Sequence, residues 1–153
     1  MGLASAPCWT LSGFDTLDAP ALYDLLRLRS EVFVVEQACA FQDLDGLDGR
    51  AVHLQGRVAG QLLAYARCFP AGVTFAEASI GRITTRATAR GTGLGHQLVA
   101  RAMQAVADLW GLQPIRIGAQ AHLRHFYESH GFSDLGRPYL EDGIDHLEMM
   151  WKP

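Results

Sequence analysis

Three glycines alternate after a β-type stretch, and this arrangement constrains the fold more than any other feature of the chain. Residues 80–85 are rich in β-branched side chains, Gly91, Gly93 and Gly95 follow, and a long amphipathic pattern begins at once. Glycine permits a sharp turn and a close approach of the backbone to another group. Because a helix N-terminus presents unpaired N–H groups and a partial positive charge, the turn predicts a phosphate-binding strand–loop–helix unit.

Particular residues of this turn exclude two common phosphate-binding motifs. A P-loop requires a lysine after its last glycine, and no lysine follows any of the three glycines. A dinucleotide-binding fingerprint that starts at Gly91 requires a third glycine where His96 stands. Residues 90–95 instead match the pattern R-x-x-G-x-G, in which Arg90 adds a permanent cation beside the predicted phosphate site.

The bulk composition narrows the class of protein. A length of 153 residues predicts a single domain over residues 1–153. A net charge of -3, with only 13 lysines and arginines, gives no basic surface for nucleic acid. Cys8, Cys39 and Cys68 lack paired or zinc-type spacing, which predicts reduced thiols and no metal. No signal-peptide pattern or membrane-length apolar run is present, so we expect a cytoplasmic protein without nucleic-acid or membrane partners.

Hydrophobic periodicity and turn residues predict an α+β fold, in which helices cover both faces of a mixed, mostly antiparallel sheet of about seven strands. Residues 74–119 form a strand, a helix and a strand, most economically joined as a right-handed parallel crossover. The first helix is capped by Asp18 and runs to about Phe33, or on to Glu36. The other predicted elements are strands at 8–14, 51–55, 60–68 and 115–119, helices at 94–109 and 121–130, and a C-terminal hairpin turning at 141–143.

Three aspartates, Asp43, Asp45 and Asp48, lie in a segment without periodicity at residues 37–50. A calcium-binding EF-hand loop starting at the first of them would need glycine at its sixth position and glutamate at its twelfth. Those positions hold Asp48 and Leu54. We therefore expect a solvated acidic loop, whose charge could attract a cationic amine.

A second motif, HLRHFYESHGF, lies downstream at residues 122–132. Together with the R-x-x-G-x-G turn it resembles the GCN5-related N-acetyltransferase (GNAT) superfamily. The likeness spans about residues 9–151 and implies a GNAT-like sheet for the whole domain. Further segments narrow the resemblance to the ElaA-like subgroup, and they lie at residues 26–37, 65–67, 118–123 and 141–146.

The resemblance implies an enzyme that moves the acetyl group of acetyl-CoA to a primary amine by direct attack in a ternary complex. The pyrophosphate would lie on the R-x-x-G-x-G turn, and residues 83–85 would supply N–H groups where the sheet opens. The acceptor would be a small-molecule amine or a peptide or protein amine, and a homodimer through the C-terminal strands is compatible with the sequence. The candidate acetyl-CoA-binding residues are Ile83, Thr84, Thr85, Arg90, Gly91, Thr92, Gly93, Leu94, Gly95, His96 and Tyr127.

Tyr127 is the candidate general acid, because a phenol with a pKa of about 10 can donate a proton to the departing thiolate. Its structural alternative is packing against Phe132 after a helix stop at Gly131. Glu36 is the candidate base, and its alternatives are a surface carboxylate or deprotonation of the amine through ordered water. These assignments leave the acid better supported than the base.

Fewer sequence features support the prediction of an acceptor-binding site. His53 and His122 are weaker candidates for the base, because a lone histidine is more often structural than catalytic. A CoA-binding sensor or interaction domain without turnover is the alternative function. The spacing of His122, His125 and His130 gives no metal site with acidic partners. The candidate acceptor-binding residues are Glu36, Gln37, Gln120 and His122.

Overall fold

The computed structural model describes residues 5–153 and contains a seven-stranded mixed sheet, as the sequence predicts. The strands are β1 (Cys8–Gly13), β2 (Val52–Val58), β3 (Gln61–Phe69), β4 (Ala78–Thr85), β5 (Ile115–Gln120), β6 (Ser133–Glu141) and β7 (Ile144–Trp151). Their order across the sheet is β1-β2-β3-β4-β5-β7-β6. Among the strands of residues 5–153 only β4 and β5 pair in parallel, so the prediction of one parallel unit in a mostly antiparallel sheet is confirmed.

Helices cover both faces of the sheet. They are α1 (Ala19–Arg29), which continues as a π-helix (Ser30–Glu36), α2 (Leu94–Trp110) and α3 (Arg124–Glu128). The buried stripe of α2 packs with β3, β4 and β5 in one core, where Leu94, Leu98 and Val106 are almost fully buried. On the opposite face Leu25 and Leu28 of α1 pack in a second core. Burial of these two stripes is the main force that holds the layers together.

The local signals place the helix ends well. The Asp18 side chain accepts a hydrogen bond from the Ala21 N–H at 2.8 Å, which confirms the predicted N-cap of α1. Gly131 has a φ of +90° and follows α3 as expected, although only residues 124–128 of the predicted 121–130 segment are α-helical. The strand predicted from residue 74 begins only at Ala78, because residues 71–77 form turns and bends. No helix in residues 5–153 is long and apolar enough to cross a membrane.

The parallel pair opens soon after it forms. β4 and β5 are paired only at Ala78 with Ile115 and Ser79 with Arg116, while β4 continues to Thr85. A β-bulge lies in the same stretch, because the register with β3 shifts between Tyr65–Thr84 and Arg67–Gly81. The bulge contains Arg82, whose φ of +49° is rare for a residue with a side chain. A bulge bends its strand and disrupts the ladder, so β4 turns away from β5.

The expectation of a solvated acidic loop at residues 37–50 is wrong. Asp43 is only 4% exposed, and its carboxylate accepts hydrogen bonds from Arg29 at 3.0 Å and Arg82 at 2.8 Å. Asp45 and Asp48 form ion pairs with Arg67, and Asp48 also pairs with Arg29. The arginine side chains thus neutralise the loop and fix it against α1, β3 and the bulge of β4.

Two other expectations concern surfaces. Leu109, the last residue of the helix predicted at 94–109, is 43% exposed. β6 forms one edge of the sheet, so its outer hydrogen-bonding groups face away from β7. A homodimer through the C-terminal strands stays a prediction.

Candidate functional site

A cleft of about 900 Å³ occupies the opening between β4 and β5. Its walls come from the π-helix, β4, the start of α2, β5, α3 and the β6–β7 hairpin. The structure therefore brings together segments that are far apart in the chain. The predicted site residues that line the cleft are Glu36, Gln37, Ile83, Thr84, Thr85, Arg90, Gly95, Gln120, His122 and Tyr127.

A second cavity of about 380 Å³ lies at the glycine turn. It shares Thr85, Arg90 and Gly95 with the larger cleft and adds Gly91, Gly93 and His96. Two other predicted residues line neither space. The Leu94 side chain is 1% exposed in the core, and the Thr92 hydroxyl donates to the Ala89 carbonyl at 2.6 Å.

The backbone of the glycine turn is open to a ligand. Gly91 and Gly93 have φ values of +79° and +84°, and within residues 5–153 no atom beyond the adjacent residues lies within 4 Å of a Cβ built on either glycine. Among the backbone hydrogen bonds of residues 5–153, none uses the N–H of Gly91, Thr92 or Gly93 as its donor. The first N–H groups of α2 add further donors, because a helix leaves them unpaired. The turn thus offers several amide donors at a helix N-terminus, which suits an anion.

Arg90 stands between this turn and the π-helix. Its guanidinium donates to both carboxylate oxygens of Glu36, at 2.8 and 2.7 Å, and to the carbonyl of Thr85 at 3.0 Å. Both side chains of the pair are about two-fifths exposed. The cation predicted beside the phosphate site and the predicted base are thus bound to each other in this structure.

The edge of β4 is the other polar wall of the cleft. The bulge residue Arg82 donates to the Asp43 carboxylate at 2.8 Å and to the Asp43 carbonyl at 3.1 Å. Two residues further along β4, the Thr84 hydroxyl oxygen is buried and has no hydrogen-bond partner among the described residues. Across the cleft Gln120 donates to the Gln37 side chain at 3.3 Å, which ties β5 to the end of the π-helix. The ion pair between Arg82 and Asp43 therefore anchors the bend that opens the cleft.

Tyr127 lines the cleft from α3 with only 5% of its surface exposed. Its ring meets Phe132 edge-on at 6.0 Å and Phe126 at 5.1 Å, so the packing alternative is realised together with access to the cleft. No hydrogen-bond partner of its hydroxyl is found among the described residues. Burial raises the pKa of the phenol well above its ordinary value of 10, which keeps the hydroxyl protonated.

The predicted histidines separate into different roles. His53 lies outside the cleft, where it is buried and hydrogen-bonded to the Tyr65 hydroxyl at 2.6 Å and the Asp48 carbonyl at 2.9 Å. His96 contacts His130 through ring nitrogens 2.9 Å apart, beside the glycine turn. Burial and the neighbouring His96 lower the pKa of His130. Within residues 5–153, no three histidine, cysteine or acidic side chains are arranged to hold a metal ion.

Comparison with known proteins identifies the family. The model of the acetyltransferase (GNAT) domain family matches residues 33–153. The chain belongs to the GNAT family. Protein ElaA of Escherichia coli is 41% identical over 135 residues, which cover 87% of this chain and 88% of ElaA. A UPF0039 protein of Synechocystis is 40% identical over 145 residues, 94% of each chain.

Solved structures agree with this membership. The crystal structure of an acyl-CoA N-acyltransferase from Pseudomonas aeruginosa is 44% identical, with a TM-score of 0.90 over 95% of this chain and 99% of that one. The crystal structure of E. coli ElaA gives a TM-score of 0.88 at 37% identity over the same shares. The resemblance to the ElaA-like subgroup of GNAT proteins is therefore confirmed.

The site residues predicted from the sequence of this GNAT protein do not include the far wall of the cleft. It includes Cys39, Phe41, Asp142 and His146. The Cys39 thiol donates to the carbonyl of Asp142 at 3.3 Å, although 103 residues separate them. Only the turn at residues 141–143 carried a local signal, and it predicted a hairpin without indicating what the hairpin would face.

Proposed function

We propose that this GNAT acyltransferase moves the acetyl group of acetyl-CoA to a primary amine by direct attack in a ternary complex. The observation that carries the proposal is a pair of adjoining spaces, which share Thr85, Arg90 and Gly95: the cavity at the glycine turn and the cleft along the open edge of β4, which Tyr127 lines. Such a pair can hold an extended donor with an anionic end and a reactive end. The family supports acyl transfer, and the acetyl group and the amine are the finer parts of the proposal.

The glycine turn fits the diphosphate of CoA. A methyl group on Gly91 or Gly93 would project into open space, so the missing side chains leave room over the backbone amides. The amides, the N-terminus of α2 and the Arg90 guanidinium all favour an anion at one place. Ordinary surface turns do not combine these three features, so we assign the diphosphate to residues 90–96.

The thioester donor supplies an activated acyl group, and in the overall reaction a C–N bond forms while the C–S bond breaks. Residues of the chain hold and polarise the reactants. The N–H groups of β4 near the bulge would stabilise negative charge that develops on the carbonyl oxygen. Alignment of both reactants within one cleft supplies much of the remaining acceleration. Glu36 is the proposed residue that accepts the proton of the amine, directly or through water.

Tyr127 would act on the departing sulfur. Since burial raises the pKa of its phenol, complete proton transfer to a thiolate of ordinary pKa about 8.5 is uphill. We therefore assign to Tyr127 a hydrogen bond that stabilises the developing thiolate, and the thiolate then takes its proton from solvent while the phenol keeps its own. The amine loses one proton and the thiol gains one, so the reaction needs no further reactant.

The acceptor remains a small-molecule amine or a peptide or protein amine. The acidic loop no longer supports a cationic acceptor, because its carboxylates are paired with arginines. The remaining polar groups suited to an amine are Glu36 and Gln37, which line the cleft at the end of the π-helix. The sensor alternative shares the donor site and differs only in the absence of turnover.

The experiment that tests the donor assignment is calorimetric titration with acetyl-CoA. Wild-type protein is expected to bind it, and Gly93→Ala is expected to weaken binding about tenfold, equivalent to roughly one charge-assisted hydrogen bond. Gly72→Ala is the matched control, because Gly72 has a φ of +87° and equally open space but lies in the turn before β4. Both variants should lose similar stability, about 1–2 kcal/mol, from the left-handed backbone.

Different results of this experiment have different meanings. No binding of acetyl-CoA by the wild type would contradict the proposed function. Equal weakening by Gly72→Ala would show that the loss reflects stability alone. Binding without release of thiol, across a panel of primary amines, polyamines and peptides, would favour the sensor.

A further inference from the structure

The ion pair of Arg90 and Glu36 connects the donor side of the cleft with its acceptor side. Glu36 is the last residue of the π-helix, and Arg90 directly precedes the glycine turn, 54 residues further along the chain. Both terminal nitrogens of the guanidinium are bound to the carboxylate, in a two-pronged contact of 2.8 and 2.7 Å. The fork of Arg90, which best matches a phosphate or a carboxylate, is therefore already used.

The ion pair between Arg90 and Glu36 is weak enough for another anion to replace Glu36. With 42% and 38% of the two side chains exposed, water screens the attraction, and such pairs add little stability. The Glu36 carboxylate has no hydrogen-bond donor other than Arg90 among the described residues. A diphosphate on the turn would have Arg90, the amides of Gly91 and Gly93 and the N-terminus of α2. In competition for Arg90 the diphosphate therefore has more partners than the carboxylate.

We propose that Glu36 is an internal competitor of the donor diphosphate at Arg90, and that donor binding releases its carboxylate to hold a cationic amine. The inference rests on the proposed function, since it requires the diphosphate to lie on the glycine turn. Once the diphosphate holds Arg90, its negative charge repels Glu36 and disfavours return of the carboxylate. Glu36 then faces the cleft beside Gln37, which Gln120 already fixes in place.

This exchange predicts which class of amine the protein accepts. A free carboxylate at the acceptor side attracts amines that carry a positive charge at neutral pH, and it can then accept the proton that such an amine loses before attack. Because coupling between two sites is reciprocal, the donor should strengthen binding of the cationic amine and the amine should strengthen binding of the donor. Before the donor arrives, the same carboxylate is neutralised and the acceptor side is weakly attractive.

The π-helix provides a matched control for charge. Glu31 lies on the same helix, is 43% exposed and forms an ion pair with Arg86 at 3.2 Å. Neither Glu31 nor Arg86 lines the cleft or the cavity at the turn. Glu31→Gln therefore removes the same charge from the same helix without removing the proposed competitor.

The test is a titration of wild type, Glu36→Gln and Glu31→Gln with CoA and with pantetheine, which lacks the diphosphate. Release from competition with an exposed ion pair predicts that Glu36→Gln binds CoA about two- to sixfold more tightly than wild type. Pantetheine affinity should be equal for all three proteins, and Glu31→Gln should bind CoA as wild type does. Unchanged or weaker CoA binding by Glu36→Gln would overturn the inference.

Thiol-release kinetics at saturating acetyl-CoA give the second readout. For primary amines that are cationic at neutral pH, kcat/KM is expected to fall at least tenfold in Glu36→Gln. The variant would then bind CoA more tightly and acetylate the amine less efficiently than wild type. An equal loss in Glu31→Gln would overturn the inference. If wild-type protein binds no CoA, the proposed function itself fails. If it binds CoA and Glu36→Gln does not differ from it, only the exchange fails.

Discussion

Replacement of Tyr127 by phenylalanine is expected to lower kcat by about 100- to 1,000-fold, the range typical of a lost hydrogen bond to negative charge that develops in the transition state. Acetyl-CoA affinity should stay nearly unchanged, since the ring keeps its contacts with Phe126 and Phe132. The hydroxyl has no hydrogen-bond partner in residues 5–153, so the free energy of unfolding should change little. Thiol release, calorimetry and urea unfolding measure these three quantities.

Tyr23→Phe is the control for this substitution, because Tyr23 is 71% exposed on α1 and lines no part of the cleft. It should leave kcat as in the wild type. Unaltered turnover in Tyr127→Phe would remove the phenol from the mechanism. The raised pKa of Tyr127 adds a check with pH: ionisation of this group should cause no loss of activity below about pH 10.

Replacement of Arg29 by methionine is expected to lower the free energy of unfolding by about 3 kcal/mol or more. The Arg29 side chain is fully buried, and its loss leaves Asp43 and Asp48 short of a partner in the interior. Removal of one member of a buried ion pair typically costs ~3–5 kcal/mol. Arg82 and Arg67 still contact the two carboxylates, which places the expected loss at the lower end.

Urea unfolding of Arg29→Met and of Asp24→Asn compares the loss of a buried charge with the loss of an exposed one. Asp24 is 45% exposed and pairs with Arg57 at 3.2 Å, so its loss should cost about 1 kcal/mol or less. Similar costs for the two variants would contradict the structural role of the buried network. If Arg29→Met aggregates, Asp43→Asn provides a second variant. It also breaks the network, so we expect it to lower the free energy of unfolding as well.

The network also predicts how stability depends on pH. A hydrogen bond from Arg67 holds the pKa of Asp45 well below its usual value. Burial raises the pKa of Asp48, but hydrogen bonds from Arg29 and Arg67 outweigh it, and the net shift is downward. A depressed pKa contributes stability that is present above the unfolded value of about 3.9 and is lost as pH falls through the folded value. Urea midpoints should therefore fall steeply below about pH 4, and less steeply in Arg29→Met.

Local sequence signals predicted the elements of this fold and the position of the glycine turn. The glycine turn, the N-cap at Asp18 and the stop at Gly131 each depend on a few neighbouring residues, and each lies where expected. The buried role of Asp43 could not be predicted in this way. Its partners Arg29 and Arg82 lie 14 and 39 residues away, and an aspartate-rich loop is ordinarily solvated.

The same reason explains which contacts around the cleft could not be predicted. Nothing local in the sequence indicates that Glu36 meets Arg90 or that Cys39 meets the tip of the β6–β7 hairpin. The opening of β4 from β5 was predicted only through the resemblance, and its physical origin, the bulge at Arg82, has no signal in the hydrophobic pattern. Contacts between distant segments therefore set the parts that sequence reasoning missed.

The bulge at Arg82 has a consequence for how the enzyme would fail on heating. Asp43 links this bend to Arg29 at the end of α1, so the bend that opens the cleft depends on a loop that carries no strand or α-helix. Loops of this kind open locally at lower free-energy cost than core strands. Loosening of residues 37–47 would let β4 straighten while the sheet stays folded. Activity is therefore expected to vanish some degrees below the melting temperature, and recovery on cooling would be rapid.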